Sequence, residues 1–466
     1  MANSIYYFFV LLGTVIFCVG IVLLLKKPFY NLAVAAVRQL DIIFNKSLSE
    51  EEKDQKIIGN LSSLLKYLFV TVGLVFVLFV GSLIPVILYV KYQADFEPDT
   101  TSIFFYLSMF LGSFVLLFFR NKSDYSYWSK LLHTLVLDNY QLGKYLFEKE
   151  IKKYNGEKIN QERNFVIVTG LARAGTTALT NLMYDPKVFH SIDYSYVPFL
   201  LAPKFWKKIY NPKNVKKRER AHGDKVLFSE NSIEALEEYF FKVHLSDGYI
   251  KGDSLVMHEV SPEILERYYK YQDLFKSSAQ TVYLAKNNNF ILRYESVKRQ
   301  NNQFKMVLIF RDPLSHARSL LNQHRNFIER QSEDGFVLSY MNWLGHYEFG
   351  LNQKHFDFGQ GFDRENYEAD ELSYWLAIWC NYHASILEVL DNDNVVLVDY
   401  EDLLNRPEGL KARLSSKLGI TMAKGSIDQF VPKKKADVDT QNINNDLLDK
   451  AASIHQKLLA KKAETV

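Results

Sequence analysis

The sequence predicts an α/β fold, a doubly wound parallel sheet with helices on both faces, preceded by an N-terminal helical transmembrane region. Three observations carry that expectation. Phe165 to Leu179 reads FVIVTGLARAGTTAL, an apolar strand that runs into a glycine-bearing loop and then a helix. Lys305 to Leu320 reads KMVLIFRDPLSHARSL, a second apolar strand that ends in a charged turn and continues as a helix. The first quarter of the chain holds three long stretches without a charged residue. Short, wholly apolar runs bounded by turn signals suit strands covered on both faces, and alternation with helices is how parallel strands are joined.

The loop after the first strand carries Gly170, Arg173, Gly175, Thr176 and Thr177. Backbone N–H groups of such a loop and the dipole of the helix that follows converge on one place, so the three parts form an anion cradle. Gly170 and Gly175 keep the five-residue spacing of a nucleotide phosphate loop, but Thr176 stands where a Walker A motif needs lysine. Arg173 supplies the cation instead, so a diphosphate-like group is expected and an ordinary Mg-ATP enzyme is not. The second strand ends in Arg311, Asp312 and Pro313. Arginine at that place presents a bidentate fork to a phosphate.

Two further segments follow the same order. Tyr283 to Phe290 reads YLAKNNNF, and Val395 to Leu404 reads VVLVDYEDLL, a late strand entering a turn. With the two strand–loop–helix elements, these four segments resemble the PAPS-dependent sulfotransferase family in its membrane-anchored, bacterial-type form. The resemblance spans roughly residues 163 to 420 and does not reach residues 1 to 125. It implies a P-loop-type fold and 3′-phosphoadenosine 5′-phosphosulfate (PAPS) as co-substrate, with no metal required. It implies that Arg173 and Gly170, Gly175, Thr176 and Thr177 hold the 5′-phosphosulfate. Arg311 and Ser319 would hold the 3′-phosphate, Lys286 would approach the transferring sulfonate, and Tyr400 would lie near the adenine. One departure is that Asn287, Asn288 and Asn289 replace the family's usual residues after the lysine. For the general base, the tyrosine-sulfating branch points to Asp193 in register, although that branch uses glutamate. His190 and the His258–Glu259 pair are the rivals.

The uncharged stretches are Ile5 to Leu25, Tyr67 to Val90 and Ser102 to Phe119. Each is long enough, or nearly so, to cross a hydrocarbon core of about 30 Å. The first lacks a positive n-region and is followed by Lys26, Lys27 and Pro28, unlike a signal peptide. The segment between the first two carries Lys26, Lys27, Arg38, Lys46, Lys53, Lys56 and Lys66, whereas the next loop pairs Lys91 with Asp95, Glu97 and Asp99. The positive-inside rule therefore predicts an outer N-terminus, three crossings and a cytoplasmic catalytic domain at an inner membrane. Phe29 to Phe44 reads as a helix that lies in the interface or packs on the catalytic domain.

These boundaries predict a membrane region over 1–125, a transferase domain over 160–430 and a C-terminal tail over 431–466. Two cysteines, Cys18 and Cys380, cannot form a disulfide framework and read as buried thiols. No HExxH or CxxC pattern offers a metal site. The basic run from Lys207 to Arg220 and the glycine-bearing loop from Phe356 to Phe362 read as candidate acceptor-site walls. VPKKK at Val431 to Lys435 reads as a solvated tail segment or a cover for the nucleotide. The expected partners are the lipid bilayer, PAPS and a membrane-linked lipid, lipid-linked sugar or glycan, and no nucleic acid. Two other readings remain: a kinase-like phosphotransferase, disfavoured by the missing phosphate-loop lysine, and a non-catalytic nucleotide-binding scaffold. The scaffold has no need of Arg173, Lys286, Arg311 and Ser319 together.

Overall fold

The structure is a computed structural model that describes residues 2–44, 48–93, 97–115, 127–154, 163–210, 218–219, 227–228, 233–276, 281–390, 393–422 and 443–464. The chain divides into two compact units, Met1–Leu142 and Gly143–Val466.

In the first unit, helix α1 (Ala2–Gly20) passes through a π-helical segment, Ile21–Leu25, into α2 (Lys26–Phe44). The chain is therefore helical past the expected end of the first span. Proline inside a helix clashes with the carbonyl four residues earlier, and for Pro28 that residue lies in the π-helical segment, which absorbs the mismatch. The Phe29–Phe44 stretch packs within its own unit. Asn60 Nδ2 of α3 (Glu50–Tyr92) donates to Ala35 O at 2.9 Å and Gln39 Oε1 at 2.7 Å. Tyr30 OH shares a 2.8 Å hydrogen bond with Thr134 Oγ1. A capping box at Ser49 and Glu52 starts α3, whose 43 residues extend well before the expected span at Tyr67. At 1.5 Å per residue it is about 65 Å long.

Helices Asn3–Leu40 and Glu50–Tyr92 are each long and apolar enough to cross a membrane. The third expected span appears as α4 (Ile103–Ser113), 11 residues long. That is about 16 Å, short of a crossing; residues 116–119 of the expected span lie outside the described residues. Glycines let these helices meet closely. A Cβ on Gly13 would lie 2.3 Å from Ser82 O of α3, and one on Gly112 of α4 would lie 2.9 Å from Leu11 O.

The second unit is built on five parallel strands: β1 (Phe165–Thr169), β2 (Phe189–His190), β4 (Val282–Lys286), β5 (Lys305–Phe310) and β7 (Val395–Asp399). Their order is β2-β4-β1-β5-β7. Two short strands outside this sheet, β3 (Ser254–Val256) and β6 (His355–Asp357), pair in parallel with each other, so part of the expected Phe356–Phe362 loop is strand. In the main sheet, Val166, Val168, Leu284, Val307, Ile309, Val396 and Val398 point to one face. There they pack with α5 (Thr176–Met183) and with the helix Pro407–Leu418. The alternate residues serve the other face: Phe165 meets the Tyr268 ring and Phe310 the His455 ring. Both faces are covered, which explains why the strands read as unbroken apolar runs.

The chain reverses its direction of winding at β1, which has β4 on one side and β5 on the other. In open parallel sheets the crevice beyond the carboxyl ends at such a point is where ligands bind. Trp375 and Trp379 are fully buried in α8 (Leu372–Val389), and Trp343 is buried as well, so these aromatics belong to the core rather than to a ligand surface. The stretch expected as a tail ends in a packed helix, α10 (Asn445–Glu464), with Leu458 fully buried and Lys462 bonded to Asp399. Apolar residues at Leu447, Ala451, Ile454 and Leu458 give that helix a face to bury. Val431 to Lys435 lies outside the described residues.

Candidate active site

Four strand ends carry the four sequence segments to one crevice: Gly170 follows β1, Lys286 closes β4, Arg311 follows β5 and Tyr400 follows β7. In register, Val168 pairs with Lys286 and Thr169 with Leu308. The loop after β1 turns at Leu171–Ala174, closed by Ala174 N–H to Leu171 O at 3.0 Å, with Arg173 left-handed at φ +70°. Gly175 is also left-handed, at φ +104°, and a Cβ there would lie 2.7 Å from the Tyr400 ring. A Cβ on Gly170 would lie 2.6 Å from Ile309 O. Both glycines are therefore required by close approach, and Gly175 also by its backbone conformation.

Arg173 Nε donates to Ser319 Oγ at 3.4 Å, joining the loop to α6 (Pro313–Glu333). The Arg311 guanidinium lies 4.7 Å from the centroid of the Tyr400 ring, a cation–π contact. Tyr400 begins α9 (Tyr400–Asn405), a helix capped by the Asp399 carboxylate. Burial, opposed by Tyr400 and reinforced by the nearby Arg173 charge, holds Arg311 below its ordinary range. Two guanidiniums gathered at the head of a glycine loop suit a ligand with two phosphate groups.

Lys286 Nζ donates to Thr177 Oγ1 at 2.6 Å and to Glu234 Oε2 at 2.5 Å, and Thr177 Oγ1 donates to Glu234 Oε2 at 3.1 Å. Glu234 is buried and did not stand out in the sequence. It precedes α7 (Glu238–His244), and the next acidic residues clip its segment to the end of β4. Glu237 Oε1 accepts from Asn287 Nδ2 at 3.0 Å, and Glu237 Oε2 accepts from Tyr268 OH at 2.7 Å. Glu238 takes a bidentate pair of hydrogen bonds from Arg293 at 2.8 and 2.7 Å. Acids at positions 234, 237 and 238, spaced as on one helical face among apolar residues, were the available signal.

The four residues considered as general base are engaged in other contacts. The Asp193 carboxylate caps the turn Tyr194–Tyr196, accepting from Ser195 N at 2.9 Å and from the Ser195 hydroxyl. His190 pairs with Tyr283 in the strand register, three residues before Lys286 and so about 10 Å from the carboxyl end of β4. Burial depresses it to about 3. His258 has both ring nitrogens engaged: Nδ1 donates to Val256 O at 3.0 Å and Nε2 accepts from Arg293 Nε at 3.0 Å. Burial, then the Arg293 charge, lowers it to about 4. Glu259 is exposed and held by Arg299. Of the basic run, Lys207 lies 4.3 Å from the Tyr196 ring centroid, and residues 211–217 and 220 lie outside the described residues. Cys18 and Cys380 are buried and unbridged.

A family model described as a sulfotransferase domain matches residues 163–443, more than half of the chain and all four segments of the crevice. No curated protein matches. Among solved structures, a sulfotransferase from Alicyclobacillus acidocaldarius is similar at 17% identity, over 64% of this chain and 94% of that one, with a TM-score of 0.29. Sulfotransferase STF1 from Mycobacterium tuberculosis H37Rv is similar at 13% identity, over 80% of this chain and 96% of that one, with a TM-score of 0.36. Sulfotransferase STF9 from Mycobacterium avium is similar at 13% identity, over 80% and 86%, with a TM-score of 0.34. Through the match to residues 163–443, this chain belongs to the sulfotransferase domain family.

Proposed function

We propose that this sulfotransferase is membrane-attached, takes its sulfuryl group from PAPS, and delivers it to a hydroxyl or amine of a lipid, lipid-linked sugar or glycan. The observation that carries the reading is the buried set Lys286, Thr177 and Glu234 at the end of β1 and β4, beside a glycine loop with two guanidiniums. PAPS fits this donor set. Arg173, Thr176, Thr177 and the loop N–H groups would hold its 5′ end, Arg311 and Ser319 its 3′-phosphate, and Tyr400 would sit beside the nucleoside. Glu234 replaces Asp193 as the base. It accepts the proton of the acceptor oxygen as that oxygen bonds to sulfur, and Lys286 offsets the charge on the bridging oxygen as its bond to sulfur breaks. The products are a sulfate ester, or a sulfamate from an amine, and 3′,5′-ADP. Positioning and charge stabilisation supply the rate, as in phosphoryl transfer.

Attachment to the bilayer is supported by the helices Asn3–Leu40 and Glu50–Tyr92. The basic residues between them favour the cytoplasmic side for that segment. The described helix Ile103–Ser113 is 11 residues and short of a crossing by itself; only a third crossing completed over residues 102–119 would make the transfer domain from about residue 160 onward cytoplasmic, with a membrane-linked acceptor. Sealed vesicles and radiolabelled PAPS, which does not cross a bilayer, test both points. Label should enter the extractable lipid or glycan fraction of inside-out vesicles only. Label confined to right-side-out vesicles would reverse the orientation, and no transfer in either would sink the proposed donor or acceptor class.

A further inference from the structure

His316 lies on α6 five residues after Arg311 and is completely buried. Its Nε2 is 2.7 Å from Ala172 O in the loop after β1. A carbonyl only accepts, so Nε2 carries the proton and donates. Nδ1 is buried and finds no partner among the described residues. The ring lies 6.3 Å from His383 of α8, centroid to centroid.

The bond falls on the one peptide that decides the shape of the loop. Leu171–Ala174 is a turn closed by its first carbonyl and last N–H, with a left-handed third residue, Arg173, and no positive φ at Ala172. That is the type II pattern, which normally takes glycine or asparagine at the third place. The common type I turn differs by a flip of the central peptide, here Ala172–Arg173, and would return Arg173 to the right-handed region. In a planar trans peptide the carbonyl and the N–H point in opposite directions. Holding Ala172 O on His316 therefore directs the Arg173 N–H away from α6 and fixes where the Arg173 side chain starts. Ser319, three residues on and on the same face of α6, meets that side chain at Nε.

We propose that His316 is a positioning residue for sulfuryl transfer, holding the phosphate loop in its flipped turn through Ala172 O so that Arg173 is presented to the anion. Its effect on nucleotide rests on the PAPS reading above; its effect on the loop does not. Burial and the neighbouring His383, Arg311 and Arg173 all oppose a second proton on the ring, and only the Ala172 contact favours one. The neutral form with Nε2–H is therefore kept across the working pH range.

The test uses the detergent-solubilised full chain with His316→Leu, which keeps bulk and removes the donor, and His316→Gln, which restores one. Two readouts are taken: affinity for 3′,5′-ADP, and hydrogen exchange of the peptide covering 165–177 without nucleotide. The expected result is at least a tenfold loss of affinity and faster exchange in that peptide for His316→Leu. His316→Gln should stay within about threefold of the parent. Parent-like loop exchange in a folded His316→Leu protein would overturn the proposal, as would equal losses in both variants, including failure of both to fold. If the parent does not bind 3′,5′-ADP yet exchange still separates Leu from Gln, the PAPS reading fails and the role of His316 stands.

Discussion

Glu234 and Lys286 face each other across 2.5 Å with both side chains buried, and Thr177 closes the set from the first turn of α5. A buried carboxylate tolerates that position only when it is paired, and removal of one partner strands the other. Glu234→Gln keeps the shape and removes the base, so transfer should fall by about 10²–10⁴ while 3′,5′-ADP affinity stays within a few-fold. Asp193→Asn should leave transfer near the parent level, because that carboxylate caps a turn. A transfer assay on the two variants checks this, and the reverse ranking would restore Asp193 as the base. Lys286, Arg173, Arg311 and Ser319 were legible as residues because each sits at a strand end or one helical face away from one, where local sequence sets position. Glu234 was not. It meets Lys286 from 52 residues away in the sequence, and long-range closure leaves no local signature. Asp193 was assigned by its register with the tyrosine-sulfating branch, and register alone does not distinguish a cap from a base.

Among the elements, the strand–loop–helix unit depends on two close approaches, at Gly170 and Gly175, the glycines whose spacing marked the loop. Gly175 combines φ +104° with a hypothetical Cβ only 2.7 Å from the Tyr400 ring. Gly175→Ala should therefore cost about 1–3 kcal/mol of local strain and push Tyr400 away from Arg311. Calorimetric titration should show 3′,5′-ADP binding weakened at least tenfold; parent-like affinity would mean that the Tyr400 contact is not part of the cradle. Three of the five parallel strands, β1, β5 and β7, were legible because wholly apolar runs such as Val395–Val398 suit a sheet covered on both faces, whereas the two-residue β2 and the lysine-ended β4 carry no such run. The helices of the first unit were less so. Hydropathy marks an apolar window but is blind to helix that continues beyond it, so α3 starts seventeen residues before Tyr67, at Glu50. The C-terminal helix was missed because its apolar face is narrow and alternates with lysines.

Across the whole molecule, burial depresses a set of histidines in the second unit: His190 and His383 to about 3, and His244, His258 and His324 to about 4. In the unfolded chain these groups titrate near 6.5, so below that pH the unfolded state takes protons that the folded state refuses. Their contribution is fully present above about pH 6.5 and is lost as pH falls towards 4, at about 1.4 kcal/mol per pH unit for each proton. Glu237 works the other way. Burial raises it to about 7, so its contribution is present at low pH and is lost as pH rises from its unfolded value towards 7. Five groups outweigh one. The melting temperature of the solubilised chain should fall from pH 7 to pH 5, and a flat or rising profile would show that these histidines are not held neutral.

Recognition of a 3′-phosphate by the crevice at the head of β1 is what separates a PAPS site from a nucleoside triphosphate site. Calorimetric titration of the solubilised chain with 3′,5′-ADP, 5′-AMP and Mg-ATP, in parallel with an Arg311→Ala variant, measures this directly. The prediction is that 3′,5′-ADP binds at least tenfold more tightly than 5′-AMP or Mg-ATP, and that Arg311→Ala abolishes the difference. Preference for Mg-ATP, or a 3′,5′-ADP affinity indifferent to Arg311, would contradict it.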